Sequence, residues 1–159
     1  MSPVGWGYTL EKMVWSEVFE EARRVYKEYF RGPGDWERVK LAIASRVAGI
    51  LRKYFQTIRM IALVDLSGGE CVEGERGSFD IDVVVEVGSP AEAYALKMLE
   101  PIIDNAVKEA FIFTNSYEKY RELLKTYSRG LEHNVVELHV NDEYALKAAR
   151  GSGCPPIEL

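Results

Sequence analysis

Cysteine and histidine are scarce in this chain, with two of each among 159 residues. Cys71 and Cys154 form no Cys-x-x-Cys pair, and His133 and His139 make no ligand cluster with them, so no zinc centre is expected. Two cysteines are too few for a disulfide-built scaffold; a Cys71–Cys154 disulfide is one reading, and two free thiols, as in a reducing cytosol, are the favoured one. Long apolar runs are also missing. The run at 60–64 lies between Arg59 and Asp65, far short of the ~20 residues a membrane-spanning helix needs. The opening Met1-Ser2-Pro3-Val4-Gly5 has neither the basic start nor the apolar stretch of a secretory leader. The expectation is a cytoplasmic protein with no membrane partner. Basic residues are outnumbered 20 to 25, for a net charge of −5. That balance argues against an extended nucleic-acid footprint, which needs a basic face to release counterions.

What is present is the composition of a folded domain: 47% apolar and 28% charged residues. Val14, Val18, Ala22, Val25 and Tyr29 recur at helical steps and predict a helix over 10–31. Gly32-Pro33-Gly34 ends it. Asp35 is placed to cap a second helix over 36–55, with Trp36, Val39, Ile43, Val47, Ile50 and Tyr54 in one stripe. The β-branched run 58–64 reads as a buried strand. The glycine-rich stretch 66–77 reads as a turn and loop. Over 79–87, alternation places Phe79, Ile81, Val83, Val85 and Val87 on one face and Asp80, Asp82, Val84 and Glu86 on the other.

Ser89-Pro90-Ala91-Glu92 then combines a capping box with proline at the first helical position. Pro101 is expected to kink or divide that helix, and 110–113 suggests a short strand. A helix from about Asn115 to near Gly130, a strand over 134–140 and a helix over 142–150 complete the order. The fold class expected is α+β: a small mixed sheet flanked by helices over 35–159, with an N-terminal helical extension over 1–34.

The chemistry concentrates in Gly77-Ser78-Phe79-Asp80-Ile81-Asp82. On a strand, residues i and i+2 project to the same side, about 6.6 Å apart along the chain. At an effective dielectric of ~20, two carboxylates so placed repel by roughly 3 kcal/mol. A divalent cation turns that repulsion into coordination, because Mg²⁺ takes carboxylate oxygens and keeps positions open for phosphate. Aspartate is also poorly disposed to strands, and two of them among valines need a reason. A solvated strand face is the plainer explanation of the same pattern.

The helix 36–55, the strand that follows it, the turn at Gly68-Gly69 and the Asp80-Ile81-Asp82 strand together resemble the DNA polymerase beta-like nucleotidyltransferase superfamily, in particular its small prokaryotic, minimal branch. The likeness covers about residues 36–87. It extends more loosely to the C-terminus, where Gly151 to Ile157 looks like the Gly-x-Pro-Leu ending of such domains.

The resemblance implies transfer of a nucleoside monophosphate from a nucleoside triphosphate to a hydroxyl acceptor. Asp80 and Asp82 would hold Mg²⁺, Ser67, Gly68, Gly69 and Ser78 would contact the nucleotide, and Glu137 on a later strand would be the third, base-forming carboxylate. His139 would share the Glu137 face and reads as a surface histidine. The chain departs from the family in two places. Ser67-Gly68-Gly69 stands where the family has Gly-Ser, and the following loop carries Glu70, Glu73 and Glu75 against one basic residue, Arg76. These departures open a second expectation: a catalytically silent module of the same fold that binds a protein partner or a second copy of itself. Helix 10–31, with Trp15, Phe19, Tyr26, Tyr29 and Phe30, is the candidate surface, and completion of the core is the simpler role for those aromatics.

Overall fold

The computed structural model describes residues 3–66, 78–151 and 154–159. It is an α+β fold of five α-helices around a four-stranded mixed sheet, with one helix ahead of the rest. Helix α1 (Pro3–Tyr29) leads through a single 3-10 turn into α2 (Trp36–Tyr54). Strands β1 (Ile58–Val64) and β2 (Ile81–Val87) follow, then α3 (Pro90–Thr114), α4 (Tyr117–Tyr127), β3 (Val136–Val140), α5 (Glu143–Arg150) and the two-residue β4 (Ile157–Glu158). The sheet order is β3-β2-β1-β4. β1 runs antiparallel to both β2 and β4, while β2 and β3 are parallel.

Strand alternation divides the molecule into layers. Ile61 and Leu63 of β1, Ile81, Val83, Val85 and Val87 of β2, and Val136, Leu138 and Val140 of β3 are buried in one main core with α1, α2 and α3. Val14, Val18, Ala22, Val25, Tyr26 and Phe30 of the leading segment belong to the same core. At its centre, Tyr26, Phe30, Trp36, Phe79 and Phe111 meet edge-on, tilted or stacked, each contributing large apolar area. The opposite face carries a small second cluster in which Ala62, Val64 and Val84 pack under Ala145, Leu146 and Ala149 of α5. Helix α5 therefore covers only part of that face, and Asp82, Glu137 and His139 lie on the rest.

Two local expectations are corrected. Residues 110–113 form no strand; they are the last turns of α3, which runs unbroken from Pro90 through Pro101 to Thr114. The burial is helical: Leu99, Ile103, Ala106, Val107, Ala110 and Phe111 are inside, while Ile112 and Phe113 are exposed. Pro101 lies on the solvent side, where water can satisfy the carbonyl its ring leaves without a donor. Cys154, expected as a free thiol, is buried and disulfide-bonded. The expectation for Cys71 lies outside the described residues.

The start of α3 is capped as expected by Ser89, whose hydroxyl accepts from the Glu92 N–H at 3.3 Å. The Glu92 carboxylate completes no reciprocal box. It turns instead to the end of α2, accepting from the Gln56 and Thr57 N–H groups and the Thr57 hydroxyl, and so ties α3 to the entry of β1. The aromatics of α1 settle on the core side: Tyr26 and Phe30 are buried, and Trp15, Phe19 and Tyr29 pack against the core. Among the described residues, no helix is long and apolar enough to cross a membrane.

Candidate functional site

Asp80 immediately precedes β2 and Asp82 is its second residue, so both sit at the N-terminal end of the parallel β2–β3 pair. The parallel register sets Asp82 directly beside Glu137 and Val84 beside His139. Because side chains alternate, Asp82, Glu137 and His139 all project to the face opposite the main core. Leu66, Ser78, Phe79, Asp80, Asp82, Tyr127, Arg129 and Glu137 line one cleft of about 400 Å³ there. The three carboxylates expected to act together are thus brought together by two adjacent strands. Ser78, expected to contact nucleotide, lines the same cleft. Ser67, Gly68 and Gly69 lie outside the described residues.

His139 is corrected. It is no surface histidine: its side chain is 19% exposed and its Nε2 lies 3.1 Å from Asp82 Oδ1. The same nitrogen is 4.0 Å from Glu137 Oε2, and Nδ1 is 3.9 Å from Asp142 Oδ2. The Asp82 hydrogen bond, opposed by burial and aided by the Glu137 and Asp142 charges, raises the imidazole above its ordinary value. Glu137 is pushed up to about 7, first by burial and then by the negative charges of Asp82 and Asp80. Burial also raises Asp80, with Asp82 adding to the rise and Arg129 and Lys40 opposing it. These shifts have one physical source: acids crowded into a partly desolvated corner.

Two cations that sequence patterning left out complete the site. Arg129, just past α4, places Nε 3.2 Å from Asp80 Oδ1. Its placement follows a reversal at Ser128, whose φ of 53° is left-handed. Both atoms are buried, and neither makes a well-aligned hydrogen bond among the described residues; the pair is held by charge. Lys40 on α2 is almost fully buried and donates to the Ser78 carbonyl at 2.6 Å. The signal in sequence was its place one turn after Trp36, in a stripe otherwise apolar.

Whether a divalent cation suits these residues can be judged from the donors. Asp82, Glu137 and His139 each offer one ligand atom within 4.8 Å of the others, and Asp80 adds a buried oxygen with no aligned hydrogen-bond donor among the described residues. Crowded carboxylates, two of which (Asp80 and Glu137) have a raised proton affinity, are what a cation relieves. The residues fit. Comparison of the chain with protein-family models, with curated proteins and with solved structures finds no match to any of them.

Proposed function

We propose that the cleft is a metal-dependent nucleotidyl-transfer site, in which a nucleoside monophosphate passes from a nucleoside triphosphate to a hydroxyl acceptor. The observation that supports this most is the β2–β3 register: Asp82 beside Glu137, with Asp80 opening on the same cleft. Asp80 and Asp82 are the residues that would hold Mg²⁺. When bound, such an ion neutralises developing charge on the transferred phosphoryl group.

The chain's own groups supply the rest. Glu137, with a proton affinity poised near neutrality, is suited to accept the proton of the attacking hydroxyl. Arg129, half-exposed at the rim, can turn from Asp80 to a phosphate oxygen, since guanidinium matches both partners. Tyr127 and Phe79 give the cleft apolar wall.

Calorimetric titration of each nucleoside triphosphate with Mg²⁺ tests the proposal. The parent protein is expected to bind at least one of them, and the Asp80→Asn/Asp82→Asn variant to lose metal-dependent binding with its fold intact. Equal binding by parent and variant, or none by the parent, overturns it.

One observation favours the silent module instead: both aspartates already have cationic partners within the chain, Arg129 and His139. Absence of nucleotide binding supports that reading.

A further inference from the structure

The nitrogen in the acidic corner sets this site apart from an all-carboxylate one. His139 reaches it because residues 137 and 139 share a strand face, and the β2–β3 register sets Asp82 beside Glu137, one same-face step from His139. Metal–donor bonds of ~2.1 Å place neighbouring donors of an octahedral ion ~3 Å apart and opposite donors ~4.2 Å apart. His139 Nε2 lies 3.1 Å from Asp82 Oδ1 and 4.0 Å from Glu137 Oε2. Two of the three donor separations therefore match those around one ion, and the third pair, Asp82 and Glu137, lies within 4.8 Å.

A second, separate feature concerns the far side of the ring. Nδ1 faces Asp142 Oδ2 at 3.9 Å, and the Asp142 side chain is itself fixed by capping α5, accepting from the Ala145 N–H at 3.0 Å. Nδ1 and Asp142 are not hydrogen-bonded at that distance, but the carboxylate lies on the side of the ring from which an outer partner orients a metal-ligating histidine. Asp82 is 5% exposed, so little water reaches its charge from outside the cleft.

We propose that His139 is a ligand, and that Asp82, Glu137 and His139 form a mixed oxygen–nitrogen site selective for a first-row transition dication of the Mn²⁺, Fe²⁺ or Zn²⁺ class over Mg²⁺. Imidazole is a poor ligand for Mg²⁺ and a good one for transition metals, so the third donor decides the preference. The inference rests on reading the cleft as a metal-dependent transfer site and names the metal that site takes; with Glu137 a ligand through Oε2, its other oxygen is left for the proton of the attacking hydroxyl. In the absence of a transition ion, the imidazole occupies Asp82 and competes with Mg²⁺ for it.

The test uses the full chain and Mn²⁺ as the probe. Calorimetry with Mn²⁺ and with Mg²⁺, and pulsed electron paramagnetic resonance of bound Mn²⁺, are run on the parent and on His139→Gln and His139→Ala. The parent is expected to bind Mn²⁺ more tightly than Mg²⁺ and to show ¹⁴N modulation from a directly bound imidazole. Both variants are expected to lose that modulation and at least about tenfold in Mn²⁺ affinity, while Mg²⁺ binding holds or improves because Asp82 is released. Mn²⁺ bound without nitrogen modulation, with His139 variants matching the parent, overturns the histidine ligand and leaves the carboxylate transfer site standing. No binding of Mn²⁺ by the parent overturns it as well. Nitrogen-coordinated Mn²⁺ without nucleotide binding supports the ligand and removes the transfer reaction.

Discussion

Trp36 and Lys40, one turn apart on α2, donate to consecutive backbone carbonyls, those of Phe79 at 2.9 Å and Ser78 at 2.6 Å. Trp36 also stacks on the Phe79 ring, with centroids 5.1 Å apart. The backbone entering Asp80 is thereby held from behind by one face of a helix. A carboxylate that must meet an ion within fractions of an ångström needs that kind of support.

Lys40 also stands 3.1 Å from Glu37 Oε1, and both side chains are largely buried. The Glu37 oxygens have no aligned donor among the described residues, so charge alone compensates them. Lys40→Met is expected to cost about 3–5 kcal/mol in urea unfolding, the range for breaking a buried pair by removing one partner. Adding Glu37→Gln should return much of that loss. If the single and double variants are equally unstable, the pairing is not what Lys40 contributes.

Arg129→Gln should separate metal from nucleotide. Without the guanidinium, Asp80 is free to accept a cation, so affinity for Mn²⁺ or Mg²⁺ alone is expected to rise. Affinity for metal-loaded nucleoside triphosphate is expected to fall about tenfold or more, as for loss of a charge-assisted contact. Calorimetry on both titrations checks the opposite signs; a parallel change in the two rejects a phosphate role for Arg129.

Stability without metal should decline as pH rises. Glu137 is raised from 4.5 to about 7, so between those values the folded protein keeps a proton that the unfolded chain has released. Unfolding free energy must then fall with increasing pH across that window. His139, raised above 6.5 by Asp82, acts in the same direction: its contribution is complete below 6.5 and is lost as pH passes its folded value. Because these groups touch, they titrate as a unit. Urea midpoints from pH 4.5 to 8 should slope downward for the parent, less steeply for Glu137→Gln, and less steeply again with a divalent cation added.

Asp104 on α3 accepts from the Val135 and Val136 N–H groups at 2.6 and 2.9 Å and pairs with Lys108 at 2.9 Å. Asp104→Ala strands two buried donors next to the strand that carries Glu137 and His139, at a cost of about 3 kcal/mol. Asp104→Asn keeps an acceptor oxygen and should cost less. Urea unfolding gives the ranking, and weaker Mn²⁺ binding by Asp104→Ala should accompany it.

Much of this architecture was legible in residue order. Alternation from Phe79 to Val87 placed Asp80 and Asp82 opposite the core face, and the period-two pattern of β3 put Glu137 on the same side as His139. Capping at Ser89 marked the start of α3. The end of that helix was misread because Ala110, Phe111, Ile112 and Phe113 form a short apolar run that suits either state; the earlier spacing of Ile103, Ala106 and Val107 was the stronger guide. Register is a property of two strands, so neither strand alone could pair Asp82 with Glu137 or bring His139 within reach. Arg129 and Lys40 escaped notice for a related reason: each acts across the fold, on Asp80 and on Ser78, and only Lys40 carried a local signal, its place in an otherwise apolar stripe.

The outer rim of β3 carries one more implication. Two of its outward N–H groups are already taken: Val136 by Asp104 and Leu138 by the Glu100 carboxylate at 2.6 Å. Two acids on a neighbouring helix therefore act as gatekeepers, filling the positions through which a foreign strand would dock. Growth of the ladder on that flank, whether by fibril seeding or by capture of an extended peptide, would first have to pull both acids away.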